Sequence, residues 1–316
     1  MGMSNPEHLR ILAKGVDHWN SWRKKNKNIK PDLSNANLKS AVLRQANLNS
    51  VDFQKAQLTK ADLVQAELVG AVLIDANLVE AQLTKTNCIQ ADLSKVNLLN
   101  GSLMEADLTG ANLSGANLKG ANFSGANLTG AKLVGANFNE ANLSGAYFYG
   151  ADLTEVNFFK ANLNKTDFSN AILTGCNLCE ADLRGAELGK ANFTQANLVK
   201  ADLRGANLNS AILDKTDFVE ANLSGANFSK ASLIEANLCK ADLSGANFSE
   251  AVLENANLSD AKFGGANFSK ANLTGANLLG SEKEHANFTG ANLTDAKFNV
   301  TNNSCGHDAY HKPASQ

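Results

Sequence analysis

From Leu33 to Phe298 every fifth residue is Leu or Phe, and Cys88 and Lys283 are the two departures in 54 positions. The register never slips, so no loop interrupts those residues. Neither common element accepts this period. On a helix five residues turn through about 500°, so each Leu would sit roughly 140° round from the last and no apolar face would form. On a continuous strand an odd period throws successive Leu side chains to opposite faces. The chain must therefore turn once per repeat.

Two residues before most centres stands Ala, and its replacements are mostly small, as at Val51, Thr86, Val96, Gly101, Cys176 and Thr216. If the centre is position i, residues i−2 and i share the inner side of a short extended segment. The Asn/Asp, Ser/Thr and Gly residues between and after them point outward or make the corner. Aromatics at 6% and only 3 Pro in 316 residues fit a repetitive architecture better than a mixed globular core.

The i−1 positions sort into columns of period 20. The column 37, 57, 77 to 297 holds Asn at 11 of 14 positions, whereas the column 32, 52, 72 to 292 holds it at 4 of 14. Segregation of this kind is expected if residues 20 apart stack, because stacked amides hydrogen-bond along a column.

The run Ala111-Asn112-Leu113-Ser114-Gly115-Ala116-Asn117-Leu118-Lys119-Gly120 reads A-(D/N)-L-x-x twice. It resembles the pentapeptide-repeat family, and the resemblance spans residues 33–298. It implies an all-β solenoid, the right-handed quadrilateral β-helix, with four repeats per coil and residues i and i−2 inside. Residues 31–298 are then expected to form one uninterrupted β-helix of about 13 coils, roughly 60–65 Å long at the spacing of paired strands. Residues 1–30 are expected to be a short α-helical cap, and the polar residues 299–316 a disordered C-terminal tail. One inner column gathers Phe148, Phe168, Phe228, Phe248, Phe268 and Phe288, read here as core filling.

A stacked solenoid has open ends that need covering. Asn5 before Pro6 and Glu7 is a helix-start signal. Leu9, Leu12, Val16, Trp19 and Trp22 follow at spacings of three and four, which predicts one amphipathic helix within about residues 5–24. The stretch Trp19-Asn20-Ser21-Trp22-Arg23, followed by Pro31-Asp32-Leu33-Ser34, resembles the leader of many cyanobacterial members of the family. At the other end Lys283 occupies a centre position, and the expectation is that it turns outward and distorts the last coils.

No catalytic constellation is visible, so the chain is read as not an enzyme and without a cofactor. The five histidines are dispersed over leader, repeat and tail. Cys305, His307 and His311 do not have a standard zinc spacing, so no metal site is expected. Five cysteines at irregular spacing imply no disulfide framework and fit a reducing, cytoplasmic setting. No stretch approaches about 18 apolar residues, so no membrane partner is expected. Net charge is −2, with seven basic against two acidic residues in 1–30 and a weakly acidic remainder, which argues against nucleic acid as a partner.

Two outer columns lie side by side. Glu140, Lys160, Glu180, Lys200, Glu220, Lys240 and Asp260 alternate in sign and are expected to form a charge ladder. Beside them run Phe159, Cys179, Val199, Val219 and Cys239, with Val79, Leu99 and Leu279 further along, where the family usually has Ser or Thr. Phe159 is the one Phe of 15 outside a centre position. An apolar strip on an outer wall is a candidate contact surface for a protein partner; the bland account is tolerance of β-formers on a β-wall. The leading functional reading is a non-enzymatic scaffold for an unidentified protein partner, as a monomer or a weak end-to-end dimer. The alternative that the resemblance implies is a DNA mimic that binds or protects DNA gyrase, against which stand the weakly acidic body and the uninterrupted coil.

Overall fold

The structure is a computed structural model and describes residues 4–299. Its regularity follows from one main-chain hydrogen-bonding pattern that recurs along the repeats, completed by a side chain wherever Asn or Asp stands at i−1. In residues 111–115 the N–H of Ala111 donates to the Leu108 carbonyl at 2.9 Å and closes the corner. Asn112 donates to Ala91 at 3.0 Å, Leu113 to Lys132 at 2.7 Å and Gly115 to Val134 at 2.9 Å, all in adjacent coils. The fifth N–H, of Ser114, has no such backbone partner. The Asn112 side-chain oxygen accepts it at 3.1 Å. That contact is an Asx turn, and it gives the Asn/Asp preference at i−1 a physical cause. In this repeat no main-chain donor is left over, which matters because an unpaired buried donor costs roughly 1–3 kcal/mol.

Parallel bridges run from Asp32↔Asp52 to Asn277↔Lys297 at an unvarying separation of 20 residues. They are isolated bridges, and the described residues form no continuous sheet. The all-β expectation is corrected to that extent: a turn every five residues leaves room for only one bridged residue on each side of the coil. Every corner residue at i+2, from Asn35 to Asp295, has a positive φ, between 55° and 60° where it is not Gly. Left-handed backbone is costly for residues with a Cβ. Gly120 shows a second constraint, since a Cβ there would press on the Asn100 side-chain oxygen.

The interior is filled by the chain itself. Centres and i−2 residues are fully enclosed along almost the whole repeat region. Phe228, Phe248, Phe268 and Phe288 stack in consecutive coils with centroids 4.6–5.0 Å apart. Phe148 and Phe168 stack at 4.7 Å, and a second pair, Phe138 and Phe158, stacks beside them at 5.3 Å. Buried Thr86, Thr166 and Thr216 at i−2 positions are tolerated because each hydroxyl donates to a main-chain carbonyl, at 2.7–2.9 Å.

Where one leader helix was expected there are two, α1 (Pro6–Leu12) and α2 (Val16–Lys25). Gly15, at φ 99°, breaks them. Asn5 caps α1 as its sequence position suggests, its side-chain oxygen accepting from the N–H groups of Glu7 and His8. Leu12 and Trp19 are buried, and Leu9, Val16 and Trp22 are partly buried against the same core. The helices also meet main-chain groups of the first coil. Trp19 Nε1 donates to the Asn47 carbonyl at 2.8 Å, and Asn20 accepts the Asn47 N–H at 2.8 Å. His8 Nδ1 accepts the Asp32 N–H at 3.0 Å.

The last coil is not distorted and Lys283 is not turned outward. Ala286 N–H still reaches the Lys283 carbonyl at 3.1 Å, and Glu282 still bridges to Lys262. The Lys283 ammonium lies 4.7 Å from the centroid of Phe298, so its stem keeps the inner position while its head rests on an aromatic face. Burial pulls its pKa below the usual lysine value. Apart from residue 299, the tail expected to be disordered lies outside the described residues.

Deletion of residues 1–30 is expected to lower the melting temperature and drive self-association, because it uncovers the first coil's core and main-chain edge. Scanning calorimetry and size-exclusion chromatography check this; an equally stable monomer would show that the leader shields nothing.

Candidate protein-docking wall

The strip Phe159, Cys179, Val199, Val219 and Cys239 is built by the same backbone device that builds the coil. Each residue occupies i+1, and its N–H donates to the side chain of Asn157, Asn177, Asn197, Asp217 or Asn237, at 3.0–3.3 Å. Each carbonyl accepts from the corner residue one coil back, from Glu140 N–H to Phe159 at 2.9 Å through to Glu220 N–H to Cys239 at 3.1 Å. Five side chains are thereby brought to one column, all half-buried.

An amide ladder flanks the strip on one side. Asn177 donates from Nδ2 to Asn157 Oδ1 at 3.0 Å, and Asn157 donates to Asn137 at 3.4 Å. One amide thus does two jobs, holding the i+1 N–H and the coil below. On the other side lies the charged corner column. Its ion pairs join Lys160 to Glu180 at 3.4 Å and Lys200 to Glu220 at 3.7 Å. The same order, Lys first and Glu 20 residues on, recurs at Lys60–Glu80, Lys85–Glu105 and Lys215–Glu235. The column is a set of pairs where a continuous ladder was expected. Both partners are about half exposed, so each pair contributes roughly 0–1 kcal/mol. Lys160 Nζ also lies 5.0 Å from the Phe159 ring centroid, so one face of that ring is already partly covered.

Two cysteines of the strip differ in kind from the two inside. Burial pushes the Cys88 and Cys176 thiols up to about 12. Burial, less complete, also raises Cys179. No group of three or more His, Cys, Asp or Glu suited to a metal ion occurs among the described residues. Cys305, His307 and His311 lie outside them. No helix among the described residues is long and apolar enough to cross a membrane.

A second exposed pair escaped the sequence reasoning. Tyr147 and Tyr149 stand 54% and 53% exposed on a single repeat, more open than any member of the strip, between the Gly145 and Gly150 corners. Their signal was their position: both occupy outward sites, i−1 and i+1, where the repeat usually carries small polar residues.

This geometry defines a class, the solenoid repeat protein whose interior is filled by its own side chains and whose chemistry is displayed in columns on its walls. Within that class the chain belongs to the pentapeptide-repeat family. The family profile "Pentapeptide repeats (8 copies)" matches successive stretches from residue 32 to residue 302. The family's fold is the right-handed quadrilateral β-helix, which the bridges 20 residues apart fit. The chain is similar to HetL, a pentapeptide repeat protein involved in heterocyst differentiation regulation from the cyanobacterium Nostoc sp. strain PCC 7120, with 36% identity over 64% of this chain and 87% of that one and a TM-score of 0.47. Rfr23 from the cyanobacterium Cyanothece 51142 matches at 28% identity over 40% of this chain and 89% of that one, TM-score 0.22. QnrB1, a plasmid-mediated fluoroquinolone resistance protein, matches at 24% identity over 63% and 94%, TM-score 0.26. No curated protein matches the sequence.

In a Cys305→Ser background, an alkylating reagent at pH 8 is expected to modify Cys179 and Cys239 in the native protein and to leave Cys88 and Cys176 untouched until it unfolds. Peptide mass spectrometry reads this. Native labelling at Cys88 or Cys176 would mean that the coil interior opens.

Proposed function

We propose that this chain is a non-enzymatic pentapeptide-repeat scaffold of about 13 coils that docks a protein partner on the wall bearing Phe159, Cys179, Val199, Val219 and Cys239. The observation that carries the reading is the alignment of five apolar side chains in adjacent coils between an amide column and a column of paired charges. Apolar centres with polar rims are the usual anatomy of a contact patch. Phe159 is its largest side chain and so its anchor. The leader residues Leu9, Leu12, Val16, Trp19 and Trp22 serve in this reading as a cap for the first coil. The four cysteines among the described residues are free thiols, which suits the cytoplasm. Phe298 in the last coil is 40% exposed, and a monomer or a weak end-to-end dimer is the working state in this reading.

DNA mimicry toward gyrase is the weaker reading. Mimicry of a phosphate rod needs columns of one sign, and here the corner column is joined into Lys–Glu pairs.

The test is the double variant Phe159→Ser, Val199→Ser used as bait in extracts of the source organism, beside the wild type and Tyr147→Ser, Tyr149→Ser. The wild type and the tyrosine variant are expected to retain a common partner that the strip variant loses by at least about tenfold, as for a hot-spot anchor. Unaltered melting of the strip variant ensures that the loss is local. Retention by the strip variant with loss by the tyrosine variant would move the docking site to Tyr147 and Tyr149.

A further inference from the structure

At the C-terminal end of α2 the leader and the first repeats enclose an open recess of about 490 Å³. Arg23 lines it and is only 7% exposed. Nη1 of Arg23 donates to the Ile29 carbonyl at 2.8 Å and Nη2 to the Asn49 carbonyl at 2.7 Å. Its Nε is buried and has no partner. The guanidinium therefore has carbonyl dipoles beside it and no carboxylate. Lys24, Lys27 and Lys30 also line the recess, with Asn49 and Ser50, and no acidic residue does.

A bland account exists for part of this. Arg23, Lys24 and Lys25 fall in the last turn of α2, where cations complement the helix dipole. Arg23 also ties the leader to the first coil. Neither point explains Lys27 and Lys30, which follow the helix, nor a buried cation with no carboxylate beside it. Buried charges are ordinarily paired, because isolated ones are strongly disfavoured.

We propose that this recess is an anion site that takes a phosphate group carrying two or more negative charges. Four cations and no anion line it, so a single carboxylate would leave most of the charge unbalanced. Lysine ammonium groups serve as point-charge phosphate donors, and the amide and hydroxyl groups of Asn49 and Ser50 supply further hydrogen bonds. The volume lies in the range of small-molecule sites, roughly 300–1,000 Å³. Burial lowers the pKa of Arg23 from its ordinary value, and a bound phosphate would oppose that shift. The site is independent of the docking wall.

The experiment is calorimetric titration of the full chain with pyrophosphate at low salt, against chloride at equal ionic strength. Saturable binding and a raised melting temperature are expected with pyrophosphate and not with chloride. Lys27→Gln with Lys30→Gln, both exposed, is expected to weaken binding at least tenfold without altering the melting temperature of the free protein. Lys14→Gln with Lys39→Gln removes the same charge outside the recess and is expected to bind as the wild type does. Absence of saturable binding, or equal weakening by both double variants, overturns the proposal. A nucleoside diphosphate, a phosphoserine peptide and phosphoinositide-bearing vesicles then compete with bound pyrophosphate, and the strongest competitor names the source of the phosphate group.

Discussion

The structure depends on where the fifth main-chain N–H of each repeat finds an acceptor. Three donors reach adjacent coils and a fourth closes the corner, and this pattern leaves the i+1 donor facing no carbonyl. An Asn or Asp at i−1 supplies the missing oxygen through an Asx turn, as Asn112 does for Ser114. In a number of repeats the same side chain, when it is Asn, also donates to the coil below, as Asn117 does to Asn97 at 3.0 Å and Asn177 to Asn157 at 3.0 Å. Local turn chemistry and coil-to-coil register are thus set by one residue, and consistency between the two levels is what allows a chain with so few distinct side chains to specify one stack. Apolar burial fills the interior, but it does not choose the period.

The ends show what happens when the stack stops. At the first coil the leader offers Asn20, Trp19, His8 and Arg23 to main-chain groups that have no preceding coil. At the last coil Phe288 and Leu293 are half-buried and Phe298 is exposed, with the Lys283 head over its ring. A cation at a centre position tempers an apolar end face without breaking the coil.

Much of this was legible beforehand because the period admits few solutions. The 20-residue stacking was visible in the Asn columns, and the aromatic stacks in Phe228, Phe248, Phe268 and Phe288. Lys283 was misjudged because a long stem can keep an inner position while its charge leaves it. The second leader helix was missed because Gly15 sits inside a hydrophobic pattern that runs across it. Arg23 was counted as one of several basic residues, since nothing in its neighbours in sequence announces that a coil edge at Asn49 will enclose it. The outer wall was readable as a strip, but Lys160 leaning on Phe159 and the greater exposure of Tyr147 and Tyr149 are tertiary facts.

The most direct measurement is native-state hydrogen exchange resolved to single amides, comparing i+1 positions that have an Asn at i−1 with those that do not. Ser114, Phe159 and Cys179 follow Asn112, Asn157 and Asn177, whose side chains accept their N–H groups. Ile74, Thr174 and Glu254 follow Val72, Ile172 and Val252, which have no oxygen to offer. The account predicts slow exchange in the first set and fast exchange in the second, while amides at centre positions of both sets are equally slow. Equal protection of the two i+1 sets would contradict it and would assign the repeat to apolar packing alone.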